Sequence, residues 1–346
     1  MGARIALAFV LGSAATLASA APKPPTPLFA DDAPIKLTIR GPISAIASTP
    51  ANSRAAQPAV IETGAEKLAI QLSPRGRTRR QKERCTFPPL RVEFPAKPAQ
   101  TSLFERQKRL KLVTHCRPAA QHQQYVLLEY SAYRLFGVIN PAGLRARLAT
   151  VDYVETNGKT STTRVGVFIE DADDAASRSG LKEAAVGVRV PASQLDPMAA
   201  ARAALFEYMI GNTDWSMRQG PPGDTCCHNF RLLGATATAQ TGLIPVPFDF
   251  DSSGLVNAPY AAAAEQLGLR SVRDRHYRGY CAHNAQAVAV AAEFRAKKPE
   301  LLAALASVPQ LEEGRQRGAA AYLESFFRDI ATDEDVQKRV LKTCIS

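Results

Sequence analysis

The first half of the chain is dominated by short runs in which apolar and polar residues alternate. Pro, Gly and Ser residues separate these runs. An alternation with a period of two puts every second side chain on the same face of a sheet, which is typical of half-buried β-strands. We therefore predict four short strands in this region, at residues 35–40, 67–72, 90–94 and 109–113.

After these strands the spacing of apolar residues changes from that of a strand to that of a helix, and a turn motif occurs further along the chain. Residues 124–136 carry Leu, Ala and Phe at helical spacing, and a Gly marks the end of the predicted helix. Two more alternating runs, at 149–154 and 164–169, flank Asn157-Gly158, a strong signal for a tight hairpin. The first half is therefore predicted to be a mostly antiparallel sheet that carries one prominent helix.

Helical patterns dominate the second half of the chain. Residues 197–210 are apolar and Ala-rich, and the pattern ends at Gly211, the residue type that most often ends a helix. Strands are predicted at 229–233 and 243–248, and the prolines of the second strand confine it to an edge of a sheet or confine the prolines to its first residues. The remaining predicted helices span residues 282–306 and 315–330. A β-rich half followed by a helical half is an α+β arrangement.

Composition and charge narrow the class of protein. The 346 residues are 46% hydrophobic and 22% charged, which excludes a disordered, collagen-like or coiled-coil chain. Lys and Arg (43) outnumber Asp and Glu (32), and the formal charge of +11 favours anionic partners without indicating nucleic acid. After residue 20 no apolar run is long enough to cross a bilayer, so we predict no transmembrane segment in the mature chain.

The N-terminus has the pattern of an exported protein. Arg4 precedes a short apolar run, and Ala-Ser-Ala at residues 18–20 is the small-residue pattern after which signal peptidase cuts. Residues 1–20 are therefore predicted to be a cleaved signal peptide. Residues 21–34 are Pro-rich and are predicted to form a tether. We expect a periplasmic or secreted protein.

Export makes the six cysteines candidates for disulfides, because extracytoplasmic compartments are oxidising. Cys85 and Cys116 each lie beside a predicted strand, and we predict that they pair. The adjacent Cys226 and Cys227 offer a poor geometry for zinc. A disulfide at this doublet would tie down the loop that contains it.

Acidic and amide side chains occur in three segments of the second half. Asp214 follows the helix that ends at Gly211, Asn229 begins a predicted strand, and Asp249 and Asp251 end the next one. Phosphoryl transfer requires a carboxylate that orients the attacking hydroxyl, oxygen ligands for magnesium and a cation near the phosphates. These segments supply carboxylates and an amide in the order that this chemistry uses.

The order of these motifs resembles the CotH (spore coat protein H) kinase-like family. In that family an R-G-N-S-S-R segment, a Leu-rich helix, a G-V-Y-L-L-x-E segment and a P-W-D-F-D segment follow one another, and the similar segments here are residues 75–80, 127–136, 166–170 and 247–251. The stretch from Gly211 to Asp249 also resembles the catalytic loop and metal segment of atypical protein-kinase-like enzymes, such as HipA-type and phosphatidylinositol kinases. The resemblance covers roughly residues 70–330.

The resemblance implies a role for each acidic and amide residue. Asp214 would be the catalytic carboxylate, and Asn229 would be a ligand of Mg²⁺ or Mn²⁺. Either Asp249 or Asp251 would be the metal-binding aspartate, and both stay open because alternation along a strand would put them on the same face. Taken singly, Asp214 and Asp249 are also typical of helix caps and turns.

The resemblance also suggests how the phosphates of ATP would be held. Lys111 lies on a predicted strand just before the helix that carries Glu129, the order in which kinases place their phosphate-binding Lys and its Glu partner. Lys82 and Arg91 are alternatives to this Lys. Arg77 and the basic run around it would cover the nucleotide phosphates, although such a run is also typical of a solvated loop.

Two positions depart from the family pattern. Trp215 stands where the family has Arg after the catalytic Asp, and Arg77 stands where it has Asn. The fold that the resemblance implies is an α+β, two-lobed protein-kinase-like fold. It would have a β-rich N-lobe at residues 35–170 and a mainly helical C-lobe at residues 171–346.

The predicted function is that of an exported, ATP- and Mg²⁺-dependent phosphotransferase. Its acceptor would be a hydroxyl group of an extracytoplasmic protein or glycan. The alternative is a catalytically silent, kinase-fold binding module that attaches to an acidic component of the cell envelope. A secreted hydrolase is disfavoured, since the sequence has no G-x-S-x-G motif.

Overall fold

Seven strands of the first half form a closed barrel. The computed structural model describes residues 21–346, and the predicted signal peptide at residues 1–20 lies outside the described residues. The barrel strands are β1 (Ile35–Gly41), β2 (Gln57–Thr63), β3 (Glu66–Pro74), β4 (Leu90–Glu93), β5 (Arg109–Val113), β6 (Ala146–Glu155) and β7 (Thr160–Ile169). Their order around the barrel is β1-β2-β3-β4-β5-β7-β6.

A parallel contact between β1 and β6 closes the barrel. Each of the other strand pairs in the barrel is antiparallel. Alternate side chains of each strand point inward. In β1, Leu37 and Ile39 are buried while Lys36 is exposed. The barrel interior is therefore filled by a hydrophobic core of its own.

The predicted α+β, two-lobed protein-kinase-like fold, with a β-rich N-lobe and a mainly helical C-lobe, is wrong. The chain has a mixed α/β architecture in which a closed seven-stranded barrel is joined to a three-stranded sheet and helices. Six of the barrel strands lie where alternation predicts them, but β2 was not predicted. Alternation indicates which face of a strand is buried but does not indicate which strand it pairs with. The β1–β6 contact that closes the sheet therefore could not be predicted from the sequence.

A second hydrophobic core lies outside the barrel, among helices and a small sheet. The order of this sheet is β10-β9-β8, which confirms that the proline-containing strand lies at an edge. Its strands are β8 (Lys182–Glu183), β9 (Phe230–Gly234) and β10 (Ile244–Pro247). The helices of the chain are α1 (Ile43–Ala47), α2 (Gln121–Ile139), α3 (Ala172–Arg178), α4 (Pro197–Ile210), α5 (Asn284–Ala296), α6 (Lys298–Ala306), α7 (Glu313–Asp329) and α8 (Asp333–Asp335).

Helix α4 spans the residues that its sequence pattern predicts. Asp196 caps its N-terminus, since its Oδ1 accepts a hydrogen bond from the backbone N–H of Ala199 at 2.7 Å. Pro197 occupies the first turn, where its missing N–H costs nothing. Gly211 ends the helix in the left-handed conformation, with φ +65°. The cap, the proline and the glycine therefore fix both ends of α4 and the residue at which the following loop begins.

The Pro-rich segment before β1 packs against the barrel. Residues 27–29 form a 3₁₀ turn, and Leu28 and Phe29 are buried in the barrel core. The guanidinium of Arg147 donates a hydrogen bond to the carbonyl of Asp31 and forms an ion pair with its carboxylate. The tether predicted at residues 21–34 thus includes apolar side chains that contribute to the core.

Three disulfides link the described cysteines. The predicted Cys85–Cys116 pair is confirmed. The other pairs are Cys226–Cys227 and Cys281–Cys344. Three disulfides in one chain are typical of an extracytoplasmic protein. Within residues 21–346, no helix is both long and apolar enough to span a membrane.

Candidate functional site

A cavity of about 480 Å³ lies between the barrel and the three-stranded sheet. The loop after β3, strands β4 and β5, the loop before β9 and the turn after β10 all contribute to its wall. The cavity therefore brings together residues that are far apart in sequence. Its charged lining residues are seven cations, Arg54, Arg75, Arg77, Arg79, Arg91, Lys111 and Arg231, and four aspartates, Asp214, Asp224, Asp249 and Asp251.

The position of Asp214 is set by the loop that follows α4. Gly211 has a positive φ, and a Cβ at this residue would lie 2.0 Å from the hydroxyl oxygen of Tyr322, so the turn requires glycine. Asn212 Oδ1 accepts a hydrogen bond from the backbone N–H of Asp214 at 3.0 Å. The buried indole of Trp215 donates to the carbonyl of Asn212 at 2.9 Å. Asp214 is therefore held on a braced turn at the wall of the cavity.

His228 and Asn229 hold Asp214 from a second segment of the chain. His228 Nε2 lies 2.8 Å from Asp214 Oδ1, and Asn229 Nδ2 donates to the carbonyl of Asp214 at 2.7 Å. The backbones of Ser216 and His228 exchange two hydrogen bonds of 3.0 Å. The hydrogen bond from His228 is the main cause that lowers the pKa of Asp214 below its ordinary value. Asp214 is therefore an ionised carboxylate at neutral pH.

Asn229 and Asp249 both present oxygen atoms at the cavity. Each has a positive φ, +54° for Asn229 and +68° for Asp249. The Asn229 amide nitrogen is used by Asp214, and its Oδ1 accepts no hydrogen bond from a described residue. The backbone N–H of Asp249 donates to the Tyr133 hydroxyl at 3.0 Å, and the Asp249 side chain is 35% exposed. The hydrogen bonds that the Asn229 amide nitrogen donates thus orient its side chain, and the bond to Tyr133 holds the backbone of Asp249.

Asp249 and Asp251 have different environments. Strand β10 ends at Pro247, so the two aspartates lie in a turn and the alternation of a strand does not apply to them. Asp251 is buried and accepts a hydrogen bond from Arg79 Nη1 at 3.1 Å. The same Arg79 atom lies 3.7 Å from Glu129 on α2. Of the two aspartates, Asp249 is the one whose carboxylate is accessible from the cavity.

Arg79 faces two buried carboxyl groups. Burial raises the pKa of Glu129 well above its ordinary value, and the neighbouring Asp251 raises it further. Burial also raises the pKa of Asp251, with a further contribution from Asp249. One guanidinium therefore links the loop after β3, helix α2 and the turn after β10. This link was not predicted, because Arg79 was one of several similar residues in a basic run.

Lys111 lines the cavity but does not pair with Glu129. Its amine lies 3.8 Å from the centre of the Phe248 ring. It forms no ion pair or hydrogen bond with a described residue. Burial, together with the nearby charges of Arg75 and Arg231, lowers the pKa of Lys111 to about 7. The Glu129 partner expected for Lys111 is occupied by Arg79, so the Lys111 amine is free for a ligand.

Arg77 lies at the mouth of the cavity. Its side chain is 61% exposed and forms a 2.5 Å ion pair with Asp224, which belongs to the loop on the opposite side. Arg75 is more enclosed and lies 3.9 Å from Asp249. The basic run predicted to cover nucleotide phosphates therefore contributes both to the mouth and to the interior of the cavity.

Another buried acid lies behind Asp214. Glu207 is fully buried on α4, and neither of its carboxyl oxygens has a hydrogen-bond partner within residues 21–346. Burial raises the pKa of Glu207 well above its ordinary value, and the nearby Asn212 amide opposes this effect. Burial therefore favours the neutral form of the Glu207 carboxyl group. Its position within an apolar helical pattern gave no signal that it lies near the candidate site.

A group of three acidic residues lies beside the cavity. Carboxyl oxygens of Asp171, Asp173 and Glu183 lie within 4.8 Å of one another. Arg109 forms a 3.3 Å ion pair with Asp171, and Arg231 forms one of 3.3 Å with Glu183. The cluster was not predicted from the sequence. Its arginine partners balance much of its negative charge.

The oxygen atoms of Asp249 and Asn229 suit a hard dication. Mg²⁺ in nucleotide sites is usually held by one or two protein oxygens together with phosphate oxygens and water. Asp249 supplies an accessible carboxylate, and Asn229 supplies an amide oxygen without a partner among the described residues. No family model matches the chain, and no curated protein matches it.

Proposed function

We propose that the chain is an exported, ATP- and Mg²⁺-dependent phosphotransferase that acts on hydroxyl groups of an extracytoplasmic protein or glycan. The observation that carries this proposal is the composition of the cavity. A single cavity brings together free and paired cations with carboxylate and amide oxygens. Phosphoryl transfer depends on positioning and on charge stabilisation, which are the two properties that this set of residues provides.

The cations of the cavity would bind the triphosphate. Lys111 has no anionic partner among the described residues and is available to an anion, and Arg75 adds a second cation that makes a long, 3.9 Å ion pair with Asp249. Arg91 and Arg231 add positive charge at the same wall. A polyphosphate is the small ligand whose charge best matches several converging cations.

Asp249 and Asn229 would hold the metal ion. When bound, Mg²⁺ or Mn²⁺ supplies charge neutralisation between the phosphates. Asp251 would have a supporting role, because its carboxylate is engaged by Arg79. Of the two aspartates that the sequence left open, the proposal assigns the metal to Asp249.

Asp214 would orient the acceptor hydroxyl and accept its proton. Its carboxylate lies at the cavity wall and is ionised, with a pKa below the ordinary value. His228 and Asn229 restrict its rotation. A general base needs this combination of the correct protonation state and a fixed position.

The order of the CotH-like motifs supports the same proposal. The segments that resemble the CotH family and the atypical protein-kinase-like enzymes together supply Asp214, Asn229 and Asp249, and these residues line one cavity. The closed barrel differs from the fold that the resemblance implies. The proposal therefore rests on the chemistry of the site and on motif order rather than on the fold.

A catalytically silent binding module is the second candidate. Seven cations and four aspartates line the described cavity, so a polyanion of the cell envelope would also bind there. Trp215 favours this candidate, because it stands where the family has Arg and is instead a buried packing residue. Nucleotide binding without turnover would support this second function.

Labelled ATP provides the test. The mature chain is incubated with ATP and Mg²⁺ or Mn²⁺, and self-labelling and nucleotide affinity are measured. Asp249→Asn is expected to weaken metal-dependent nucleotide binding by at least about tenfold, since a neutral amide is a poorer ligand for a hard dication. Asp214→Asn is expected to leave binding nearly intact and to reduce turnover by ~10²–10⁴-fold.

Asp224→Asn is the matched control. Asp224 lines the same cavity but is paired with Arg77 at its mouth. Its loss is expected to leave both metal binding and turnover close to those of the parent. If the parent binds neither ATP nor metal, the proposed function is wrong. If all variants bind like the parent and none turns over, the binding module replaces the enzyme.

A further inference from the structure

We propose that the Cys226–Cys227 disulfide is a thiol–disulfide exchange site whose redox state controls how firmly Asp214 is held. Its reaction partner would be a dithiol, either a small molecule or a protein. The effect on turnover rests on the proposed function, whereas the exchange reaction and its effect on the loop do not.

The location of this disulfide separates it from the other two. Cys227 lines the cavity, and the next two residues, His228 and Asn229, are those that hold Asp214. Cys226 is tied to a neighbouring loop, since its backbone N–H donates to the carbonyl of Gly187 at 3.0 Å. Cys227 is bonded directly to His228, so a conformational change at residues 226 and 227 would reach the residues that hold Asp214.

The sequence spacing of the pair argues against a role in global stability. The conformational entropy that a disulfide removes from the unfolded chain increases with the logarithm of the number of residues in the loop that it closes. Cys85–Cys116 and Cys281–Cys344 span 31 and 63 residues, whereas Cys226 and Cys227 are adjacent. The adjacent pair closes no loop of the chain, so its effect on the protein is local.

The surroundings of the sulfur atoms favour formation of the dithiol. Both Sγ atoms lie close to the carbonyl oxygen of Met217, at 3.4 Å for Cys226 and 3.3 Å for Cys227. This carbonyl belongs to a buried residue and accepts no N–H or O–H bond from a described residue. A disulfide sulfur has no proton to donate, whereas a thiol does. Reduction would therefore supply a hydrogen bond to a carbonyl that now lacks one.

The exchange reaction balances with a dithiol as the reductant. A thiolate of the dithiol attacks Sγ of Cys227, the member of the pair that lines the cavity, and the S–S bond to Cys226 breaks. Sγ of Cys226 leaves as a thiolate and takes up a proton. The second thiol of the reagent then attacks the mixed disulfide and releases Cys227 as a thiol. Two electrons and two protons pass from the dithiol to the protein, and the dithiol becomes a disulfide.

Reduction is expected to loosen the segment that supports Asp214. The disulfide holds residues 226 and 227 in a small ring next to His228. Opening the ring returns rotational freedom to both residues, and His228 and Asn229 then hold Asp214 less firmly. The oxidised protein would have the higher turnover and the higher affinity for Mn²⁺, and the reduced protein would have the lower values.

The test is a redox titration of the mature chain. The protein is equilibrated with mixtures of reduced and oxidised dithiothreitol, free thiols are trapped with N-ethylmaleimide, and the labelled residues are identified by mass spectrometry. Mn²⁺ affinity and hydrogen exchange of residues 214–229 are measured on the same samples. We expect Cys226 and Cys227 to be labelled while Cys85 and Cys116 remain paired. We also expect faster exchange in residues 214–229 and an Mn²⁺ affinity about tenfold lower, as for the loss of a supporting contact.

Two double variants provide the controls. Cys226→Ser with Cys227→Ser is expected to behave as the reduced form and to lose its response to dithiothreitol. Cys281→Ser with Cys344→Ser removes another disulfide outside the cavity and is expected to keep the full response. The proposal is overturned if Cys226 and Cys227 are labelled only together with Cys85 and Cys116. It is also overturned if their reduction leaves hydrogen exchange of residues 214–229 unchanged.

The two proposals fail in different ways. Absence of Mn²⁺ binding in both redox states would remove the metal-dependent function and leave the exchange site to be judged by labelling and hydrogen exchange. Strong Mn²⁺ binding with no redox response would remove the exchange site and leave the phosphotransferase proposal intact.

Discussion

Lys111 is a single amine whose protonation would couple ligand binding to pH. The free protein loses the Lys111 proton at about pH 7, because burial and two neighbouring arginines disfavour the charged form. A bound phosphate favours the charged form, so binding above pH 7 requires uptake of a proton. Nucleotide affinity is therefore expected to be insensitive to this group below pH 7 and to fall by up to about tenfold per pH unit above it.

Lys111→Arg tests this linkage, because arginine stays charged throughout the range. Calorimetric titration with ATP and Mn²⁺ from pH 6 to pH 9 is expected to show a flatter pH dependence in the variant than in the parent. Lys108→Arg is a control, since Lys108 is exposed and does not line the cavity. An equal pH dependence in the parent and in Lys111→Arg would show that Lys111 is not the titrating group.

Glu207 is expected to make the stability of the fold decrease as pH rises. Its pKa is raised in the folded protein, so the folded state keeps a proton that the unfolded state loses above the ordinary pKa. The contribution of Glu207 to stability is complete at low pH and falls by about 1.4 kcal/mol per pH unit until the folded pKa is reached. Glu207→Gln removes this dependence.

Urea unfolding at several pH values checks the prediction for Glu207. Glu207→Gln is expected to resemble the parent near pH 4.5 and to be more stable than the parent at pH 8. A variant that is destabilised by the same amount at both pH values would contradict this expectation, since it would show that ionisation of Glu207 does not contribute to the pH dependence of stability.

At the scale of elements, Arg79 joins three parts of the chain. Its guanidinium links the loop after β3 to Glu129 on α2 and to Asp251 after β10. Arg79→Met would leave two buried carboxyl groups without their cation. The free energy of unfolding is therefore expected to fall by about 3–5 kcal/mol, as for the loss of one partner from a buried ion pair. Urea denaturation measures this change.

Arg77→Met is the matched control for Arg79→Met. The two arginines lie in the same turn, but Arg77 is 61% exposed and pairs with Asp224 at the surface. Its loss is expected to change stability by less than about 1 kcal/mol. Similar effects of the two substitutions would mean that the buried link does not hold these elements together.

At the scale of the whole molecule, the segment before β1 is expected to belong to the folded unit. Phe29 is 2% exposed and lies in the barrel core. Phe29→Ala is expected to lower the free energy of unfolding by about 3–5 kcal/mol, the usual effect of removing a buried aromatic ring. Thermal unfolding of the mature chain would show the loss.

Lys23→Ala in the same segment is a suitable comparison, because Lys23 is exposed. It is expected to change stability by no more than about 0.5 kcal/mol. If Phe29→Ala unfolded like Lys23→Ala, the segment would be a tether after all and not part of the core.

Much of the local structure was predictable because its causes are local. Alternation located six of the seven barrel strands, and the cap, proline and glycine around α4 located both of its ends. The strand β2 was missed. It includes Pro58, and the apolar residues that follow one another at 59–61 obscure the alternation expected of a strand.

The candidate site was predictable only as a set of residues in order. Asp214, Asn229 and Asp249 were selected from their residue types and from a resemblance, and they line one cavity. The partner of Glu129 was predicted incorrectly. Lys111 and Arg79 are both basic residues near the first strands, and the sequence contains no feature that says which of them reaches α2.

The sequence by itself determined six of the seven barrel strands, the caps of α4 and the residue types at the cavity, because these depend on side-chain chemistry and on neighbours a few residues away. It also indicated the Cys85–Cys116 pair, since each cysteine lies beside a predicted strand. Tertiary structure alone decided that β1 meets β6 and closes a barrel, that Arg79 takes Glu129 and Asp251, and that Asp249 stays accessible. Those outcomes depend on which distant segments pack together, and a pairing of that kind is set by the free energy of the whole fold rather than by any local pattern.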